Sequence, residues 1–199
     1  FFRPKCNAGW RDDKPTDFIV KCFNKGFIKP GDMVLDVGSG FGRNANWLAL
    51  KGLKVIGINI NNAEIKEAKK SAKKLGVEAK YIHANATKLP FKNGMFSVVL
   101  DLGCSHMLSA NDQLKAEKEA ARVLKPGGFL IYFGFSKGHP AFKDKPKSSQ
   151  FRDLSTIKKI YGNDFELITV EENRWKPKAN EKANFSEHVG LDIVMKKIN

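Results

Sequence analysis

Glycines at every second position follow an acidic residue in the segment VLDVGSGFGRNA, residues 34–45. The glycines are Gly38, Gly40 and Gly42, and Asp36 lies two residues before the first of them. The residues before the turn are mostly apolar and β-branched, as in a strand that is buried on both faces. Glycine permits positive φ and lets the backbone approach a ligand closely, and a helix that begins there offers N–H groups. The segment therefore predicts a strand, turn and helix that hold a nucleotide-like cofactor.

Four later segments extend this pattern along the chain. They are KVIGINI (54–60), YIHANATKLPF (81–91), MFSVVLDLGCSHML (95–108) and LKPGGFLIYFGF (124–135). In order and spacing, the five segments resemble motifs of the class I, Rossmann-like S-adenosylmethionine (SAM)-dependent methyltransferases, and the resemblance covers about residues 10–197. GSGFGRNA and DLGCSH are most similar to small-molecule methyltransferases of the thiopurine, tellurite and halide type. The GxGxxG fingerprint of dinucleotide-binding proteins is absent from the glycine turn, which argues against a nicotinamide-dependent oxidoreductase.

The resemblance implies that SAM is the cofactor and S-adenosylhomocysteine the product. The residues that match the family's cofactor-binding positions are Asp36, Gly38, Ser39, Gly40, Asn59, Ile60, Asn85, Ala86, Asp101 and Leu102. Asn59 and Asn85 stand where the family commonly has acids for the ribose and the adenine, and Ser97 replaces another common acid. An amide oxygen still accepts a hydrogen bond, but that bond lacks the extra stabilisation that a charged carboxylate provides, about 1 kcal/mol per contact. Ordinary drift, a changed cofactor preference and weakened binding all stay open.

Methyl transfer from SAM is an in-line displacement, in which the protein aligns donor and acceptor and excludes water. By resemblance, GCSHM (103–107) lies near the transferred methyl group. His106 is the candidate general base, because its unperturbed pKa suits proton removal near neutrality. A structural or substrate-orienting histidine is the alternative. Asp101 either orients a cationic group or caps the loop, and Cys104 is expected to be a packed thiol.

Two long polar segments, residues 1–16 and 136–155, exceed what a compact sheet needs. Long loops of this kind are often functional lids, and we expect both to cover the substrate. Within them, Trp10, Arg11 and His139 are candidate substrate-binding residues, with surface packing or a structural role as the alternative.

Alternating strand and helix patterns predict an α/β fold. The expected architecture is one domain over residues 1–199: a three-layer sandwich whose mostly parallel, seven-stranded sheet has helices on both faces. Helices are predicted over residues 17–29, 44–51, 62–75, 112–124 and 154–161. Asn61 and Glu64 form a capping-box-like pair at the start of the third. Residues 165–175 and 187–196 are predicted to form an antiparallel strand pair at one edge of the sheet.

The chain has 35 basic and 21 acidic residues in 199, a formal net charge of +14. This charge favours anionic partners, RNA among them, although a lysine-rich solvated surface is the simpler explanation. No apolar run approaches the roughly 20 residues of a membrane span. The amino-terminal residues have no apolar core behind a basic start, so no signal peptide is expected. Cys6, Cys22 and Cys104 show no metal-ligand spacing and are expected to be reduced, which predicts a cytoplasmic protein without a metal site.

Three functions remain compatible with these patterns. A SAM-dependent methyltransferase with a small-molecule acceptor fits one compact domain with two covering segments. An RNA-modifying methyltransferase would use the basic surface, and a SAM-binding protein without turnover would explain Asn59 and Asn85. The acceptor, its nucleophilic atom and the oligomeric state stay open.

Overall fold

Strands and helices alternate along most of the chain in the computed structural model, which describes residues 14–146, 148–177 and 185–198. The strands are β1 (Met33–Val37), β2 (Lys54–Asn59), β3 (Ala79–His83), β4 (Phe96–Leu102), β5 (Leu124–Ser136), β6 (Phe151–Arg152), β7 (Phe165–Trp175) and β8 (His188–Lys197). The helices are α1 (Asp17–Asn24), α2 (Arg43–Leu50), α3 (Asn62–Leu75), α4 (Ala110–Val123) and α5 (Leu154–Tyr161).

All eight strands belong to one sheet, in the order β3-β2-β1-β4-β5-β8-β7, with β6 paired to the end of β5. β1 to β6 pair in parallel. Val37 of β1 is in register with Ile58 of β2 and with Asp101 of β4, so the carboxyl ends of these three strands meet. Loops at that edge form the crevice in which open α/β sheets bind their ligands.

Helices cover both faces of the sheet, as predicted. Ala120 of α4 and Ile157 of α5 belong to the buried cluster on one face. Ile19 of α1, Leu48 of α2 and Ala68 of α3 belong to the cluster on the other. The architecture is therefore the expected three-layer α/β sandwich.

The antiparallel edge pair is also confirmed. β8 lies between β5 and β7 and runs antiparallel to both, with Ile193 opposite Tyr132 on one side and Val170 on the other. Eight strands form instead of seven, because the two-residue β6 adds a short parallel pairing at Phe135.

Two predicted helix boundaries differ from the structure by two residues or more. α1 ends at Asn24 rather than at residue 29, because Gly26 adopts φ +77°. Phe27 and Ile28 continue the apolar pattern without helical backbone, and Ile28 is fully buried. α4 begins at Ala110, two residues before the predicted start, because the Ser109 hydroxyl caps the Asp112 N–H at 3.3 Å.

None of the helices in the described ranges is long and apolar enough to cross a lipid bilayer.

Candidate cofactor and acceptor site

The glycine turn after β1 is held at the carboxyl edge of the sheet. Ser39 N–H donates to the Ile58 carbonyl of β2 at 2.9 Å. Gly38, Gly40 and Gly42 all have positive φ, at 72°, 54° and 81°. The turn leads directly into α2, so the strand, turn and helix predicted for residues 34–45 are present.

Neighbouring side chains leave no room for a Cβ at two of these glycines. A Cβ at Gly38 would lie 2.6 Å from Cβ of Cys104, and one at Gly42 would lie 2.3 Å from the Tyr81 hydroxyl. That hydroxyl donates to Oδ1 of Asn46 at 2.6 Å. Cys104 therefore backs the turn, which agrees with a packed thiol.

Asp36 lies buried at the end of β1, only 3% exposed. Burial raises the pKa of its carboxyl to about 7, Arg43 opposes this shift, and Asp101 adds to it. A carboxyl in this environment gains from a nearby cation, because the charged form is otherwise poorly solvated. The site therefore favours a positively charged ligand group next to the glycine turn.

The amide of Asn59 is engaged within the chain. Its Oδ1 accepts from Asn61 N–H at 3.0 Å, and its Nδ2 donates to Oε2 of Glu64 at 2.7 Å. Asn61 caps α3 as predicted, but the Glu64 carboxylate contacts two side-chain amides, its second donor being Asn61 Nδ2 at 3.3 Å. Sequence reasoning placed Glu64 in the cap and missed its contact with Asn59. Ile60, the next residue on the chain, is 63% exposed.

Asn85 and Ala86 follow β3, at the same edge of the sheet as Asn59. Oδ1 of Asn85 accepts from the backbone and the hydroxyl of Thr87, both at 2.9 Å. Asn85 is exposed and Ala86 is partly buried against the core. The two residues are therefore placed at the site, with the Asn85 amide turned into its own loop.

Ser97 lies away from this edge. It is at the amino end of β4, where its hydroxyl accepts from Met33 N–H at 3.0 Å and donates to Met33 O at 3.3 Å. Replacement of the family's common acid by Ser97 therefore does not alter the cofactor-binding edge.

Asp101 has the contacts of a loop cap at the end of β4. Its Oδ1 accepts from the N–H groups of Cys104 and Ser105 at 3.0 and 3.1 Å, and burial raises its pKa. Leu102 follows it as the last residue of β4. This cap fixes the short turn Ser105–Met107, on which the buried His106 lies.

Beside His106 lies an aromatic wall, made of Phe133 and Phe135 of β5, Trp175 of β7 and His188 of β8. His106 is 5.0 Å from Phe135 and 6.0 Å from Phe133 between ring centroids. His188 stacks on Phe135 and on Trp175, at interplanar angles of 14° and 19°. The wall groups four aromatic rings at the carboxyl end of β5.

His139 is buried in contact with the wall and is 3% exposed. Its Nε2 lies 3.1 Å from Nδ1 of His188, and its ring lies 5.0 Å from Phe135. Trp10 and Arg11, the other predicted substrate residues, lie outside the described residues. The substrate roles of all three stay predictions.

Comparison with known proteins identifies the family. A methyltransferase domain family matches residues 35–132. The ubiquinone/menaquinone biosynthesis C-methyltransferase UbiE of Haemophilus ducreyi is 32% identical over 188 residues, which cover 89% of this chain and 70% of that protein. Sterol methyltransferase-like 1 of Botryococcus braunii is 31% identical over 200 residues, covering 96% of this chain and 48% of that protein. The structure of a SAM-dependent methyltransferase from Methanosarcina mazei superposes with a TM-score of 0.77 at 20% identity, covering 93% and 99% of the two chains.

The chain belongs to the class I, Rossmann-like SAM-dependent methyltransferases, and SAM is the cofactor. It spans more than two thirds of the Haemophilus relative and about half of the Botryococcus relative.

The residues at the carboxyl edge fit this cofactor. The glycine turn provides a cradle that a Cβ at Gly38 or Gly42 would disturb. Asp36 is a buried carboxyl that gains from the positive charges of SAM. Glu64 adds a carboxylate near the end of β2.

Proposed function

We propose that the chain methylates a small-molecule acceptor whose apolar, ring-containing body lies against the aromatic wall. One observation carries the proposal: the turn that follows β4 connects the glycine turn to the wall. Cys104 would contact a Cβ at Gly38, and two residues later His106 packs on Phe135. Cofactor and acceptor surfaces are thus joined by three consecutive residues.

Curated relatives support an apolar acceptor. One is named for a C-methylation in ubiquinone and menaquinone biosynthesis, and another for sterol methylation. Both names refer to apolar molecules that contain rings. The sequence resemblance to thiopurine, tellurite and halide methyltransferases stays a prediction, and a thiopurine also has a ring system that could pack against aromatic side chains.

Bound SAM supplies an activated sulfonium methyl group. The chain's own residues bind the cofactor and orient the side chains around it. Gly38, Ser39 and Gly40 present backbone to the cofactor, Asp36 offers a carboxylate to its positive charge, and Asp101 holds the turn that carries His106.

In this proposal, His106 accepts a proton from the acceptor. Its ring lies against Phe133 and Phe135, so an acceptor on the wall lies beside it. An acceptor seated against these rings would displace water from this position, which favours displacement at the methyl group over side reactions. In this proposal residues 1–199 act as one domain, with 1–16 and 136–155 covering the acceptor.

Two measurements test the proposal. Calorimetric titration should show SAM and S-adenosylhomocysteine binding to the purified chain. Transfer of a labelled methyl group should then be found with one of four acceptor types: a quinol, a sterol, a thiopurine or iodide. Label in a ring-containing acceptor supports the proposal. Absence of cofactor binding, or label only in iodide or in added RNA, contradicts it.

A further inference from the structure

A buried carboxylate from α3 lies against the carboxyl end of β2. Glu64 is 6% exposed, and its two oxygens accept from Nδ2 of Asn59 at 2.7 Å and from Nδ2 of Asn61 at 3.3 Å. Asn59 is the last residue of β2 and is itself 8% exposed. The carboxylate is therefore fixed in place at the edge that holds the glycine turn.

This arrangement does more than cap a helix. In a capping box, the glutamate accepts from the backbone N–H of the cap residue. Here that N–H, on Asn61, donates to Oδ1 of Asn59 instead, at 3.0 Å. Both amide side chains thus orient the Glu64 carboxylate, and the amides add no charge of their own.

We propose that Glu64 is the residue that accepts hydrogen bonds from the ribose hydroxyls of SAM, and that Asn59 is its positioning residue. The inference rests on the proposed placement of the cofactor at the carboxyl ends of β1 and β2. Ribose hydroxyls are donors, and a carboxylate is the strongest acceptor that a side chain offers them. Oδ1 of Asn59 already accepts from Asn61, so the charge-assisted contact comes from Glu64. Glu64, five residues after Asn59, thus supplies the negative charge that Asn59 lacks.

The first experiment compares ligands that differ only in the ribose. S-adenosylhomocysteine and its 2′-deoxy and 3′-deoxy analogues are titrated into wild type and into Glu64→Gln. The variant should bind S-adenosylhomocysteine about tenfold more weakly, the loss of a hydrogen bond to a charged group. It should bind at least one deoxy analogue nearly as well as wild type does. Glu67→Gln makes the same chemical change one turn along α3 at an exposed residue, and should bind all three ligands as wild type does.

The second experiment exchanges the two side chains. Asn59→Asp alone sets two carboxylates within hydrogen-bond distance, so binding at neutral pH should weaken. Asn59→Asp combined with Glu64→Gln restores one charge and one hydrogen bond with reversed polarity. This double variant should bind S-adenosylhomocysteine within about threefold of wild type and should again distinguish it from the deoxy analogues.

The binding results distinguish failure of this inference from failure of the proposed function. If wild type binds neither SAM nor S-adenosylhomocysteine, both are overturned. If wild type binds but Glu64→Gln binds equally well, or loses the same factor for all three ligands, only the ribose contact is overturned. If Glu64→Gln does not fold, Glu64→Asp decides, because it keeps the charge and withdraws the carboxylate by one methylene. A smaller loss of affinity for at least one deoxy analogue than for S-adenosylhomocysteine supports the inference, and no loss or an equal loss for all three ligands refutes it.

Discussion

Arg152 and Glu117 form an ion pair beneath the segment that follows β5, and their side chains are 4% and 2% exposed. Arg152 also donates to Oε1 of Gln113. Nε2 of Gln113 in turn donates to Leu108 O at 3.0 Å and to Ser149 O at 3.1 Å. This network fastens part of the predicted cover, residues 136–155, to α4 and to the turn that carries His106.

Removal of one partner of this pair should destabilise the protein strongly. Glu117→Gln leaves the Arg152 charge buried without its counter-charge, so the free energy of unfolding should fall by roughly 3 kcal/mol. Urea unfolding followed by circular dichroism measures the change. Glu67→Gln, at an exposed ion pair on α3, should change stability by less than about 0.5 kcal/mol. Equal stability of the two variants would contradict a structural role for the pair.

SAM affinity should rise with pH because of Asp36. Burial raises the pKa of this carboxyl to about 7, so much of it is protonated at pH 6 in the protein without cofactor. A cationic ligand binds the carboxylate form, so affinity should increase by up to about tenfold between pH 6 and pH 8. Calorimetry at pH 6, 7 and 8 tests this, and Asp36→Asn should flatten the profile.

Asp192 provides the control for this pH profile. Burial raises its pKa to about 7 as well, but it lies on β8, next to Asn173. Asp192→Asn should therefore keep the pH dependence of SAM binding. Both carboxyls have pKa values above those of the unfolded chain. Their contribution to stability is complete below about pH 4 and is lost as pH rises through 7. A SAM profile that flattens in Asp192→Asn and not in Asp36→Asn would place the cationic contact elsewhere.

Gly42→Ala should lower the free energy of unfolding much more than Gly52→Ala does. Both glycines have φ +81°, so both substitutions carry the same backbone strain, on the order of 1 kcal/mol. Only at Gly42 does the new Cβ meet a side chain, the Tyr81 hydroxyl at 2.3 Å; at Gly52 nothing lies within 4 Å. Gly42→Ala should lose at least about 2 kcal/mol more in thermal or urea unfolding, and should bind SAM more weakly. Equal losses of stability in the two variants would mean that the Tyr81 side chain moves aside without a measurable energetic penalty.

His106→Ala should lower kcat about a hundredfold while SAM affinity stays unchanged, because a general base acts in the chemical step. Single-turnover transfer of a labelled methyl group measures the rate, and calorimetry measures the affinity. Met107→Ala, at the exposed neighbour on the same turn, should retain the wild-type rate. An unchanged rate in His106→Ala would leave the ring with a packing role alone.

Local sequence patterns were sufficient to predict most of the fold. The predicted strand 165–175 and helix 154–161 have the bounds of β7 and α5, because apolar periodicity and the Asp153 cap act within a few residues. The predicted α1 ran too long because apolar residues continue after the backbone leaves the helix at Gly26. After Gly26 the apolar pattern reflects burial alone, because Ile28 is fully buried although its backbone is not helical.

The site was predicted only in part, because some of its contacts join residues that are distant or oriented by neighbours. The glycine turn follows from a single segment, and it formed as expected. The aromatic wall combines rings from β5, β7 and β8, whose meeting depends on the sheet order. Glu64 was predicted as a cap from its spacing, whereas its carboxylate turns toward Asn59, a choice that only the packed structure reveals.

The position of β8 in the sheet has a consequence for biosynthesis. β8 follows the other seven strands in the chain, yet it lies between two of them. During synthesis, β5 and β7 therefore precede the strand that joins them, and their facing edges stay unpaired until β8 inserts. Such edges recruit other chains and promote misassembly. The polypeptide is therefore vulnerable to aggregation in the interval before residues 188–197 pair with both strands.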